Sequence, residues 1–190
     1  PGLAAEYAEY DAQLDHWDSS VHGEQFIAAM EAAAFFESDA DHLLDVGLAA
    51  MPPDAKLHQV IGDVRAWHTD DPDGDWRFCR RRILNRYGAP DMTNCRQNLA
   101  FIVMCMLYSR MEFTSGMLMA VNAGYDTDCT CATFGSIYGV AHGFDAIPGR
   151  WMDPLGDTFR ISSPVQNLPK EGSLEKLTDN TVAVGCEMAL

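Results

Sequence analysis

The sequence predicts an all-α fold of about seven or eight helices. Three observations carry that expectation. Apolar residues recur at three- and four-residue intervals in segment after segment, as one buried helix face requires. Turn chemistry separates these segments, at Pro52-Pro53, at Asp70 to Gly74 and at Gly88-Ala-Pro. Strand signals are few, and only residues 157–162 read as a short extended piece. No internal repeat or low-complexity tract divides the chain, so residues 1–190 read as a single domain.

The elements follow in order. From Gly23 to Glu37, Phe26, Ile27, Met30, Ala33, Ala34 and Phe35 build a broad apolar helix face. Asp41 to Ala50 forms a second helix that must stop before Pro52-Pro53. Asp54 is placed to cap a third, with Leu57, Val60, Ile61, Val64 and Trp67 inward. Trp76 to Tyr87 is helical with Phe78, Ile83 and Leu84 inward; Arg80-Arg81-Arg82 could bind phosphate, but three consecutive residues spread around the helix and read first as solvated charge. Asn94 to Tyr108 is apolar almost all round, which predicts a central buried helix, with Asn98 organising hydrogen bonds at its entry. Phe113 to Ala123 packs next and delivers the chain to a turn at Asp126. In the helix after that turn, Gly135, Gly139 and Gly143 share one face and predict a close helix contact. Beyond Trp151 the chain is irregular until a last helix from a capping Ser173 to about Glu187.

Composition narrows the function. At 190 residues and 47% hydrophobic content the chain can bury a sizeable core. A net charge of −15 argues against nucleic acid and anionic membrane surfaces as partners. The longest apolar run, from Leu99 to Tyr108, is too short to span a bilayer. The six cysteines show no CxxC spacing, and Cys129 and Cys131 are too close on a helix for a framework disulfide. Reduced thiols and a cytoplasmic location follow as the simpler expectation.

The stretch from Asn122 to Gly143 is the most informative. Asp126 and Asp128 follow Gly124 and immediately precede a helix. Carboxylates two apart point to different faces of an established helix, so they converge only where the chain is still turning. Glycine tolerates the positive φ of such a turn. A hard dication such as Mg2+ asks for oxygen ligands held this way. On spacing alone the pair also reads as a helix cap at Asp128 and a solvated turn residue at Asp126.

What surrounds the pair resembles one family. Asn122-Ala-Gly-Tyr-Asp-Thr-Asp-Cys-Thr-Cys-Ala-Thr-Phe-Gly-Ser-Ile-Tyr-Gly139, followed by Ile147-Pro-Gly-Arg-Trp151, is similar to the C-terminal signature of the ADP-ribosylglycohydrolases. So are His22-Gly-Glu-Gln-Phe-Ile-Ala-Ala-Met30, Gly47-Leu48 leading to Pro52, Trp76 with the arginine run, and Asn94 with Asn98. The likeness runs in order from about residue 16 to residue 185. The family's Gly-Asp-x-x-Gly and Thr-Asp-Asp-Thr-like segments have no counterpart here. Thr69-Asp-Asp-Pro72 has the letters but lies between family landmarks.

The resemblance implies a compact orthogonal helical bundle, here only its C-terminal part. It implies hydrolysis of the glycosidic bond joining ADP-ribose to a protein side chain or small acceptor, within a larger intact enzyme. The cofactor it implies is Mg2+, two ions in the intact site, with Asp126 and Asp128 as ligands. Cys129 stands where many members carry a threonine ligand, and a thiol is a poor partner for Mg2+. Asn122, Gly124 and Tyr125 would line the ligand cleft, and His16 matches a histidine near the bound ADP-ribose, with His22 as its rival. The catalytic acid would come from a complementary N-terminal half, leaving this chain alone inactive. Two alternatives remain open: a non-catalytic ADP-ribose-binding or structural relative, and a hydrolase of another nucleoside or glycoside. Where relatives read Gly-x-Gly-Asp-Phe, this chain has Ser109-Arg-Met-Glu-Phe113, which predicts an altered turn.

Overall fold

The computed structural model describes residues 1–188. They fall into two compact units, Pro1–Ile147 and Pro148–Leu190. The first holds α1 (Gly2–Ala12), α2 (Ser19–Ala34), α3 (Ala40–Ala50), α4 (Leu57–Asp70), α5 (Trp76–Tyr87), α6 (Cys95–Ser109), α7 (Phe113–Ala123) and α8 (Thr127–His142). The second holds α9 (Gly149–Met152), a strand pair β1 (Thr158–Arg160) and β2 (Glu171–Ser173), and α10 (Leu174–Met188). The all-α expectation is met, with ten α-helices among the described residues.

The first unit is organised around α6. Its apolar residues occur on every side, so solvent can reach none of its faces without exposing them. Residues 97–107 are all buried, and α6 touches α2, α3, α4, α5, α7 and α8. Two amides fix how the chain enters it. Gln97 accepts from the Ala89 amide at 2.9 Å and donates to the Asp91 carbonyl, while Asn98 donates to the Met92 carbonyl at 2.8 Å. Side-chain oxygens start three of the helices that wrap it. Asp39 accepts from the His42 amide, Asp75 from the Arg77 amide, and Glu112 from the Thr114 and Ser115 amides. Each satisfies donors that a helix start leaves without an internal partner.

Five sequence expectations need correction, the first being that Phe35 and Phe78 face inward, for they are 72% and 57% exposed. Asp54 does not cap α4; Lys56 occupies the N-cap position and no side chain bonds the first amides. The glycine face of α8 makes no close approach, since a Cβ at Gly139 or Gly143 would meet nothing within 4 Å. The close contact runs instead through Gly116 of α7, where a Cβ would lie 2.0 Å from Cζ of Phe134 on α8. Phe134 fills the space beside Gly116, while the glycine face of α8 stays open. The arginine run is not uniformly solvated, because Arg80 is half-buried. Finally, α1 was not foreseen, because its apolar residues are mostly alanines: Ala5, Ala8 and Ala12 are the ones that bury.

In the second unit β1 pairs antiparallel with β2, Thr158 opposite Ser173 and Arg160 opposite Glu171. The extended piece was legible in the sequence, its three-residue partner was not. Ser173 caps the last helix as expected, accepting from the Lys176 amide at 3.1 Å. Among the described residues no helix is long and apolar enough to cross a membrane.

Candidate metal and ligand site

The site lies between α7 and α8, and its geometry begins with the backbone. Gly124 (φ +77°) and Tyr125 (φ +63°) are consecutive left-handed residues. Glycine reaches this region freely, whereas a tyrosine there costs roughly 1–2 kcal/mol. Neighbouring contacts hold the turn against that cost. The Arg80 Nε–H donates to the Ala123 carbonyl at 2.7 Å. The Tyr125 ring meets the buried Phe101 ring at 5.9 Å between centroids.

Beyond the turn, Asp126 occupies the N-cap position of α8 and Asp128 its first turn. The Asp126 carbonyl accepts from both the amide and the hydroxyl of Thr130, each at 3.0 Å, and Thr130 is wholly buried. That pair of bonds fixes the Asp126 backbone. Its carboxylate bonds none of the first amides of α8, so neither aspartate acts as the expected helix cap. The two carboxylates sit at the positive end of the helix, which eases their mutual repulsion.

The outcome is a convergence. One carboxylate oxygen of Asp126, one of Asp128 and the Cys129 Sγ all lie within 4.8 Å of one another. Among the described residues no other three such groups meet in this way. Two oxygens on one Mg2+ at about 2.1 Å can stand up to about 4.2 Å apart, so small side-chain rotations bring the aspartates into range. Chemically the aspartates fit a hard dication and the thiol does not. Bonding to Asp126, partial burial and the charge of both carboxylates raise the Cys129 thiol above its ordinary range, keeping it protonated.

The structure brings only some of the expected residues together. Asn122, Gly124 and Tyr125 lead directly into the aspartates, and Asn122 donates to the Leu118 carbonyl at 2.7 Å. His16 is elsewhere. It is exposed, pairs with Asp15, and lines a cavity with Trp17, Lys56 and Arg96 in which none of residues 122–129 takes part. His142 stacks on Tyr138 at 4.5 Å, consistent with a structural role.

Two contributors escaped the sequence reading. Arg80 flanks the buried Cys79 and Ile83 on the helix surface, a position that exposes it to the core edge. Thr130 stands four residues after Asp126, the spacing at which a threonine hydroxyl reaches back to a carbonyl. The turn at Ser109–Glu112 keeps left-handed backbone without glycine: Arg110 and Met111 both have positive φ.

The ADP-ribosylglycohydrolase family model matches residues 1–185. Over 65 residues, 34% of this chain and 18% of the relative, the chain is 35% identical to ADP-ribosylarginine hydrolase Tri1 of Serratia proteamaculans. Over 156 residues, 82% of this chain and 47% of the relative, it is 25% identical to an uncharacterized protein of Archaeoglobus fulgidus. The chain thus spans less than half the length of these curated relatives. No solved structure matches.

Proposed function

The chain belongs to the ADP-ribosylglycohydrolase family, and we propose that it supplies the Asp126–Asp128 side of a Mg2+-dependent site that cleaves ADP-ribose from a protein side chain or small acceptor. The observation that carries this reading is the meeting of the two carboxylates at one point. Such a pair costs repulsion and takes part in no capping, and a dication relieves that repulsion.

Asp126 and Asp128 would hold the metal, two ions in the complete site, while Cys129 lends Asp126 a thiol hydrogen bond rather than a ligand. When bound, the metal supplies Lewis-acid orientation of the ribose hydroxyls and of the attacking water. This chain's own residues do the positioning. Gly124 and Tyr125 set the angle of approach, Thr130 pins the Asp126 backbone, and Asn122 and Tyr125 border the space where the ribose enters. His16 is left out of this set, because its cavity shares no residue with the turn.

The family match crosses both compact units, which supports one family domain built from them. The catalytic acid is proposed to come from a complementary N-terminal segment, so this chain alone binds without turnover. Six unpaired cysteines favour the cytoplasm. The test is equilibrium binding of ADP-ribose with Mg2+ and with chelator, together with release of ADP-ribose from ADP-ribosyl-arginine. The proposal predicts Mg2+-dependent binding, lost in Asp126→Asn/Asp128→Asn, and no release. Equal binding in chelator, or in the double variant, would overturn it.

A further inference from the structure

Helix α5 concentrates positive charge in an acidic protein. Five of the 13 Lys and Arg residues fall within its 12 residues, at positions 77, 80, 81, 82 and 86, against a net charge of −15. Arg77, Arg80 and Arg81 stand at i, i+3 and i+4, which places them on one face. That face walls a cleft of about 520 Å³ with Trp76, Phe78 and Asn122.

The arginines are held rather than free. The Arg81 guanidinium lies 4.3 Å from the Phe78 ring centroid, and that of Arg77 lies 4.8 Å from Trp76. Stacking of this kind fixes a guanidinium plane while leaving its N–H edge to donate. Arg77 pairs with Asp75 at 3.2 Å, but Arg80 and Arg81 pair with no carboxylate among the described residues. Arg80 also joins the cleft to the carboxylate turn. Its Nε–H is on the Ala123 carbonyl, and a terminal nitrogen lies 3.6 Å from where a Gly124 Cβ would be.

We infer that this cleft is an anion subsite that takes the diphosphate of a nucleotide ligand. Planar, forked donors match phosphate oxygens in pairs. A local excess of arginine over the single Asp75 supplies the field that an otherwise acidic surface opposes. Asn122 is shared between the cleft and the segment that carries Asp126, so a ligand with its sugar at the carboxylates can lay its phosphates along α5. The link to ADP-ribose rests on the function proposed above; diphosphate binding by these arginines does not.

The experiment titrates the full chain with inorganic pyrophosphate in chelator, so that no metal bridges the anion to Asp126 and Asp128. Expected is saturable, salt-weakened binding, reduced about tenfold by each of Arg77→Gln and Arg81→Gln. Arg86→Gln, on the same helix outside the cleft, should leave it unchanged. Absence of binding in chain shown to be folded by circular dichroism, or equal binding in Arg77→Gln/Arg81→Gln, overturns the subsite. Pyrophosphate binding through the arginines without Mg2+-dependent ADP-ribose binding would keep the subsite and remove the proposed function. The opposite pattern would remove the subsite alone.

Discussion

Arg80 and Ala123 lie 43 residues apart, and the Arg80 Nε–H donates to the Ala123 carbonyl at 2.7 Å. That bond ties α5 to the end of α7, one residue before the chain turns left-handed toward Asp126. It makes the helix that carries the positive charge a support for the turn that carries the negative charge.

Arg80→Ala should therefore do two things. Loss of the charge-assisted bond from half-buried Arg80 to the carbonyl of buried Ala123 costs about 1.5–3 kcal/mol in urea unfolding. The freed turn should also weaken metal binding more than Arg86→Ala does, as Arg86 pairs with Asp63 away from the turn.

Glycine substitutions separate the turn from the helix. Gly124→Ala forces an L side chain to φ +77° and should cost roughly 1–2 kcal/mol. Gly139→Ala meets open space inside a helix and should stabilise the chain by about 0.5–1 kcal/mol. Thermal melts of the two variants would show shifts of opposite sign.

The packing of α7 on α8 has its own signature. Phe134 is wholly buried, and Phe134→Ala should cost about 3–5 kcal/mol. Gly116→Ala places a methyl inside the Phe134 ring and should cost about 1–3 kcal/mol or more. Combining the two should cost less than the sum, because the smaller side chain removes the clash.

Thiol labelling tests the electrostatics of the turn. Cys129 and Cys186 are the exposed cysteines, whereas Cys79 and Cys105 are buried. At neutral pH only the exposed pair should alkylate in folded chain. Cys129 should react more slowly than an unstructured thiol, because Asp126 and Asp128 suppress its thiolate. Asp126→Asn should speed that reaction.

Alkaline pH should unfold the chain from the α5–α6 side. Burial pushes the Cys79 thiol up to about 12, and burial beside Cys79 pushes the Tyr108 hydroxyl up to about 12. Folded values above the unfolded ones mean that the stability is fully present below pH of about 8.5. It is then lost as pH rises toward 12, and Cys79→Ser should change the course of that loss in pH-dependent urea titrations.

Much of this was written in the sequence. The all-round apolarity of residues 95–109 predicts the central helix, whereas the Gly124 to Asp128 spacing alone leaves a cap and a metal pair both open, and the family resemblance favours the pair. The unread parts share a cause: they depend on partners distant in the chain. Nothing local to Gly139 says that its face stays open, since that is decided by Phe134 filling Gly116. Nothing local to Arg80 says that its guanidinium will find a carbonyl at Ala123. The aspartates read as possible caps because capping is a local rule, and the structure withholds their carboxylates from it. His16 had only a resemblance behind it, and the fold puts it in a different cavity.

The most direct measurement is paramagnetic resonance of Mn2+, which shares the octahedral oxygen preference of Mg2+, titrated with the full chain. The proposed site predicts that the free-ion signal falls on adding chain and that excess Mg2+ restores it. It further predicts no fall with Asp126→Asn/Asp128→Asn. Equal loss of free Mn2+ in the wild-type chain and in the double variant would contradict the assignment of the metal to this turn.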